Sequence, residues 1–324
     1  MTSEIAARYT RFAQVEAAGR SLIYERLALQ VARSPRCLAF LSALPADRQQ
    51  PNLLFAALRS VTGDIPCDDR LDRAIHEQGD DIAAVMLCRT TQTNEPGRGA
   101  VLLPVLAQIT GPIALIEVGA SAGLCLLPDY YGYDWERYQL PPSQQIGVRA
   151  PVMICNASPG TPLPRAHPEI IWRAGLDLNP LDVNCEADVR WLEYLIWPEH
   201  QSRLDRLRAA IVVARKAPPS IVAGDLTQDL PALIAKAPSE ATVVVFHTAV
   251  VTYVADQGQR DAFAEMMLNS GAIWISNEGT RVFPQFADRA GPVRDNMFLL
   301  TQNGHPLAWT GPHGQVIEWL PENR

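Results

Sequence analysis

The chain has 324 residues, enough for one large domain or two ordinary ones. Hydrophobic residues make up 48% and charged residues 19%, without a dominating repeat, which is the composition of a globular protein. A formal net charge of -7 argues against a nucleic-acid ligand, because phosphate binding needs a basic surface. The opening "ARYTRFAQVEAAGR" mixes charges and has no apolar core, which speaks against a secretory signal. No apolar run approaches about 18 residues, so no membrane span is expected. The cysteines are Cys37, Cys67, Cys88, Cys125, Cys155 and Cys185, with no C-x-x-C pair and no histidine at zinc-site spacing from two of them. Reduced, packed thiols, no bound metal and a cytoplasmic location are the expectation.

Residues 1 to about 110 read as entirely helical. Ile5, Tyr9, Phe12 and Ala13 begin a stripe that Ile23, Leu27 and Val31 continue, until Ser34-Pro35 stops it. "PNLLFAALRSV" puts Leu53, Leu54, Ala57, Leu58 and Val61 on one face behind Pro51. Leu71, Ile75, Ile82, Val85 and Met86 form the next stripe, divided at Gly79, and "GRGAVLLPVLAQI" adds an apolar helix kinked at Pro104.

From residue 111 the texture changes. "PIALIEV", "EIIWRAGL", "SIVAGD", "ATVVVFH" and "GAIWISNEG" are β-branched runs alternating with helical patterns, among them "DVRWLEYLIWPEHQSRLDRLRAAIVVARK". That alternation predicts an α/β domain over 111–324 with a mostly parallel sheet. "NMFLLTQ", "PLAWT" and "QVIEWL", separated by "NGH" and "GPHG", predict an antiparallel C-terminal edge. Residues 129–168 are rich in Pro, Gly and Tyr, lack periodicity, and read as an insertion folding over a binding face.

The stretch "IALIEVGASAGLCLL", Ile113 to Leu127, carries the chemical question. Gly119 to Gly123 spell G-x-S-x-G, the nucleophile elbow of α/β hydrolases. Asp225 or Asp256 with His305 or His313 would complete a Ser121 triad in chain order. However, an elbow follows earlier strands, and everything upstream reads as helix. The other reading is a cradle. Glu117 sits at the carboxyl end of the first strand, where ligands of open α/β sheets bind. Gly119 and Gly123 let backbone approach a ligand, and a helix starting near Ala122 would present free N–H groups. Asp177, Asp225 and His247 occupy the ends of the following strands. Asp177 also reads as a cap beside Asn179-Pro180, and His247 as a packed core histidine.

This series resembles the class I S-adenosylmethionine-dependent methyltransferases across residues 111 to 320. More narrowly, "LIEVGASAGLCLLPDYYGY", "TQTNEPGRGAVLLP" and "GLDLNPLDVNCEADVRWLEYLIWPEHQSRLDRL" resemble the bacterial domain-of-unknown-function family 2332 over nearly the whole chain. The resemblance implies a Rossmann-like methyltransferase-type sheet, mostly parallel with an antiparallel C-terminal edge, behind an all-helical N-terminal region. It implies S-adenosylmethionine as cofactor, contacted by Glu117, Gly119, Ser121, Gly123, Asp177 and Asp225. The glycine loop would surround its methionine part, Asp177 would hold ribose and Asp225 would lie near adenine. A protonated acceptor needs a base, for which His247 is the first candidate and Glu95 the second. Gln92, Asn94 and Arg98 of the polar "RTTQTNEPGR" loop, with Tyr253, are candidate contacts to a small-molecule or protein acceptor. Two features depart from the methyltransferase pattern: Ser121 replaces the middle glycine, and about 50 residues separate Gly123 from Asp177, against roughly 20 in a compact unit. The alternatives are a serine hydrolase using Ser121 and a non-catalytic binding protein of the same fold.

Overall fold

The computed structural model describes residues 2–321. By its contacts the chain divides into two compact units, one running to Thr93 and including Cys185–Asp205, the other comprising Asn94–Asn184 and the chain from Arg206 onward. Helix Gly99–Leu106, expected with the N-terminal region ending at 110, belongs to the second unit.

The first unit contains the helices Thr2–Arg11, Leu22–Arg33, Pro35–Ser42, Pro51–Thr62, Asp69–Cys88 and Glu186–Tyr194. Its boundaries follow local chemistry. The Ser21 hydroxyl accepts from Tyr24 N, and Ser34, with Pro35 behind it, ends one helix and caps the next through Cys37 N. The kink expected at Gly79 falls on Gln78, whose backbone leaves the helical region. Segment 185–205 joins this unit through Trp197, which contacts the Tyr24 ring at 5.4 Å and donates from Nε1 to Asn52 Oδ1 at 3.0 Å. Trp191 and Leu195 are buried too, so the aromatic stripe of this segment is packing.

The second unit is built on strands β1 (Ile113–Val118), β2 (Gly132–Asp134), β3 (Gln139–Leu140), β4 (Val152–Ile154), β5 (Asn156–Ala157), β6 (Ile170–Asp177), β7 (Ser220–Ala223), β8 (Thr242–Thr248), β9 (Ile273–Gly279), β10 (Phe298–Gln302), β11 (His305–Thr310) and β12 (Val316–Trp319). Among the described residues the main sheet runs β5-β12-β11-β10-β9-β8-β1-β6-β7. β7, β6, β1, β8 and β9 run parallel to one another, and β10, antiparallel to β9, begins an antiparallel meander through β12. β1 is buried along its whole length, which is why it reads as a continuous apolar run. From β1 the chain steps outward to β6 and β7, then returns to β8 on the other flank of β1. The connections thus diverge between β1 and β8, opening a crevice at their carboxyl ends.

The insertion at residues 129–168 has strands of its own: β3-β2-β4 form a small sheet, and β5 pairs with β12 at the outer edge. Trp135 anchors this segment by donating to Ala100 O at 3.0 Å, and Tyr131 by donating to Leu124 O at 2.7 Å. Moreover, no α-helix starts near Ala122. After Gly123, whose φ of 70° is left-handed, the chain makes two short 3-10 turns, Leu124–Leu126 and Pro128–Tyr130. Pro128 disfavours helix at Leu127. Meanwhile the Arg173 guanidinium grips both Asp129 oxygens, at 2.8 and 2.9 Å, and the Leu126 carbonyl.

The Asp129 side chain is 5% exposed and that of Arg173 17%, so Arg173→Met strands an enclosed carboxylate. We predict a loss of about 3 kcal/mol in urea unfolding followed by circular dichroism. A change below about 1 kcal/mol, the range of exposed pairs, would contradict this assignment.

Candidate functional site

The turn after β1 is set by its backbone. Gly119, Ser121 and Gly123 take left-handed φ values of 71°, 51° and 70°, so every second residue reverses the chain. Asp177 spans the gap from β6: its Oδ2 accepts from Ser121 N and its Oδ1 from Asn179 N, both at 2.8 Å. A Cβ on Gly119 would overlap the Val250 side chain, and one on Gly123 would overlap Pro219. These glycines therefore admit neighbouring side chains, and Val250 fills the space in which a ligand was expected to approach Gly119.

On the sheet face carrying Glu117 lies a buried polar cluster. Asn94 Oδ1 accepts from Leu124 N at 2.7 Å, taking an N–H the expected helix would have left free. Glu95 Oε1 accepts from Gly97 N and from Arg206 Nε, each at 3.0 Å, which rigidifies the Pro96–Arg98 turn. Arg98 then reaches inward: Nε donates to Pro312 O at 3.0 Å, and Nη1 to both Thr248 O and Thr248 Oγ1 at 2.9 Å. Thr248 is the register partner of Asn277 on β9, whose Oδ1 accepts from Thr310 Oγ1 at 2.6 Å. Glu117 is 3% exposed, and its Oε2 is enclosed without a hydrogen-bond partner, as is Asn277 Nδ2. Burial pushes the Glu117 carboxyl well above the usual carboxylate range; Arg98 opposes the rise and Asp177 adds to it. The cluster thus combines a buried carboxyl, a guanidinium and unpartnered polar atoms at the crevice between β1 and β8.

On the opposite face, Trp274 Nε1 donates to His247 Nε2 at 3.0 Å, and His247 Nδ1 lies 2.7 Å from Glu278 Oε1. Since Nε2 accepts, the hydrogen-bond network assigns the proton to Nδ1, which donates to Glu278. The same Glu278 oxygen takes Val250 N at 2.8 Å and Val251 N at 3.1 Å, fixing the loop after β8 against Gly119.

A family model described as "Uncharacterized protein conserved in bacteria (DUF2332)" matches residues 6–319. The chain belongs to that family. No curated protein and no solved structure matches it. Among the described residues, no helix of this DUF2332 chain is long and apolar enough to cross a membrane.

Within the DUF2332 fold the sequence candidates fall into distinct places. Asn94, Arg98 and Glu117 come together in the cluster, joined by Glu95 in a positioning role: Arg206 and Gly97 hold its carboxylate, which is 2% exposed. His247 is corrected as a base. It has no exposed surface, both ring nitrogens are committed, and it packs edge-on against Phe263 and Phe283. Gln92 falls in the first unit. Tyr253 is 59% exposed on the turn after β8. Asp225 is partly exposed and accepts from the Thr227 hydroxyl and amide and from Gln228 N; the hydroxyl bond chiefly holds its carboxyl below the usual range. A Ser121 triad with His305 does not assemble: no helix follows the turn, Asp177 holds the serine's own amide, and His305 lies at the amino edge where β11 begins. Asp256 instead caps the helix Gln257–Asn269.

Sequence reasoning missed Thr248, Asn277, Glu278, Thr310 and Arg206. For two of them a signal existed. "ISNEG" ends an apolar run with adjacent polar residues, as "IEVG" does at Glu117, and alternation sends Asn277 and Glu278 to opposite faces. A hollow of about 270 Å³ lined by Tyr130, Pro142, Ile146 and Val213 lies on the insertion and shares no lining residue with the cluster.

A carboxyl whose pKa is raised by burial keeps its proton in the folded state to higher pH than in the unfolded chain, which releases it near the ordinary pKa of about 4.3. Folded protein then holds more protons than unfolded, so this group's contribution falls as pH rises above that value. Glu117→Gln removes the ionisation. Urea unfolding at pH 5 and pH 8 should show the variant gaining on the native chain toward pH 8. A difference independent of pH would contradict a raised Glu117 pKa.

Proposed function

We propose that this protein binds an adenosyl ligand of the S-adenosylmethionine type at the carboxyl edge of the sheet and acts as a methyltransferase on a small-molecule or protein acceptor. The observation carrying this reading is the order β7-β6-β1-β8-β9, reversing at β1, with Glu117, Asp177 and Asp225 at the carboxyl ends of three adjacent strands. Counted along the chain, that order is third-second-first-fourth-fifth, the doubly wound arrangement whose ligands sit at the reversal. The antiparallel β10 to β12 add to the likeness in kind, although their sequential meander is this chain's own.

Asp177 would take the ribose hydroxyls, and Asp225 would line the adenine side. Val250 has to withdraw from Gly119 before a ligand can lie against that backbone. When bound, the sulfonium supplies a methyl group that moves in line to the acceptor, the C–S bonding pair returning to sulfur. With His247 sealed, the chain's contribution is to orient the acceptor and exclude water, and orientation supplies about 7–11 kcal/mol in favourable cases.

Isothermal titration of the full chain with S-adenosylhomocysteine should show one saturable site, weakened at least about tenfold by Asp177→Asn. Absence of binding at millimolar ligand would reject the reading. Ser121→Ala should cost no more than about tenfold, because one hydrogen bond contributes about 0.5–1.5 kcal/mol. A fluorophosphonate probe should leave Ser121 unlabelled; stoichiometric labelling there would favour a hydrolase instead.

A further inference from the structure

Arg98 is 7% exposed, and its side chain is a guanidinium cation with donors and no acceptor. Its hydrogen bonds all go to neutral oxygens: the Pro312 carbonyl, the Thr248 carbonyl and the Thr248 hydroxyl. Among the described residues it has no ion pair and Nη2 has no hydrogen-bond partner. A buried cation in a folded protein ordinarily has an anion beside it. The nearby Glu117 carboxyl makes no ion pair or hydrogen bond with Arg98, and burial pushes that carboxyl above the usual carboxylate range. The arrangement is nevertheless rigid. Glu95 fixes the turn through Gly97 N, Arg206 fixes Glu95, and Arg98 is pinned at two of its three nitrogens. It is pinned to the end of β8, facing the crevice that β8 forms with β1. The enclosed, unpartnered Oε2 of Glu117 and Nδ2 of Asn277 are independent signs that polar groups are missing from this place.

We infer that Arg98 is the oxyanion-binding residue of the crevice between β1 and β8, taking a carboxylate or phosphate group of the ligand on its open Nη2. The carboxylate of an amino-acid moiety and the phosphate of a nucleotide offer the same chemistry to that nitrogen. The inference rests on the function proposed above only for the adenosyl part of the ligand, and the two are separable by experiment.

Thermal unfolding of the full chain is measured in sodium acetate, sodium phosphate and sodium chloride at matched ionic strength, for the native protein and Arg98→Met. Titrations with S-adenosylhomocysteine and with 5'-methylthioadenosine, which lacks the amino-acid end, run alongside. The inference expects acetate or phosphate to raise the native midpoint above that in chloride, with no such rise in the variant. A response to acetate alone identifies a carboxylate group, and one to phosphate alone a phosphate group. It also expects S-adenosylhomocysteine to bind at least tenfold more weakly to the variant, with methylthioadenosine unchanged. Equal responses of both proteins in every arm overturn the inference while leaving adenosyl binding standing. If neither nucleoside binds the native chain, the proposed function fails and the oxyanion comparison alone decides on Arg98. Should Arg98→Met not fold, Arg98→Lys replaces it, since lysine keeps the charge but cannot span Pro312, Thr248 and an anion together. A native chain that responds to no oxyanion and to neither nucleoside overturns the inference without any variant.

Discussion

The carboxylate of Asp177 holds the architecture of the sheet edge together. It reaches from the end of β6 to the amide of Ser121, fixing a turn in which three residues alternate into the left-handed region. After this turn the chain makes short 3-10 turns rather than an α-helix. Side chains then do what helix N-terminal amides do in many α/β proteins. Asn94 takes the Leu124 amide, Arg173 takes Asp129 and the Leu126 carbonyl, and Arg98 enters from the preceding loop. The positive charge at the crevice therefore belongs to a guanidinium, which sits deeper and is more directional than a helix dipole.

Two polar networks divide the work between the faces of the sheet. On one face, His247, Trp274 and Glu278 are linked in the aromatic core, and Glu278 Oε1 extends the chain of hydrogen bonds to the amides of Val250 and Val251, while its Oε2 is enclosed without a partner. That set is sealed and structural, and it decides where Val250 stands relative to Gly119. On the other face, the network around Arg98 and Glu117 is incomplete. Buried polar groups without partners are rare in folded proteins, because each forfeits hydration with nothing in return. Glu117 Oε2 and Asn277 Nδ2 lie near the divergence of β1 and β8, beside a guanidinium whose hydrogen bonds all go to neutral oxygens, and that combination is the pointer to function.

Much of this fold was legible from patterning. The run Ile113–Val118 is buried on both sides and reads as an apolar strand; the "NGH" turn gives the β10–β11 hairpin. What escaped was nonlocal. Nothing in "GASAGLCLLPDYY" reveals that Arg173, far along the chain, captures Asp129 and replaces a helix with turns. Nor does periodicity reveal that Asn156 and Ala157 leave the insertion to pair with β12. At the site, polar residues ending apolar strands were readable, which is how Glu117 and Asp177 were found. The same rule put His247 forward, but it says nothing of which face a strand-end residue occupies or what surrounds it there. Trp274 and Glu278 enclose His247, whereas Glu117 faces an unpaired arginine.

The central claim is that ligand binds at the carboxyl edge around the divergence of β1 and β8, where Arg98 and Glu117 lie. Hydrogen–deuterium exchange of the full chain, with and without saturating S-adenosylhomocysteine, tests it most directly. The account predicts slowed exchange concentrated in residues 94–98, 119–124, 177–179 and 248–251. Slowed exchange confined to the hollow around Tyr130 and Ile146, or spread over the helices of the first unit, would contradict it.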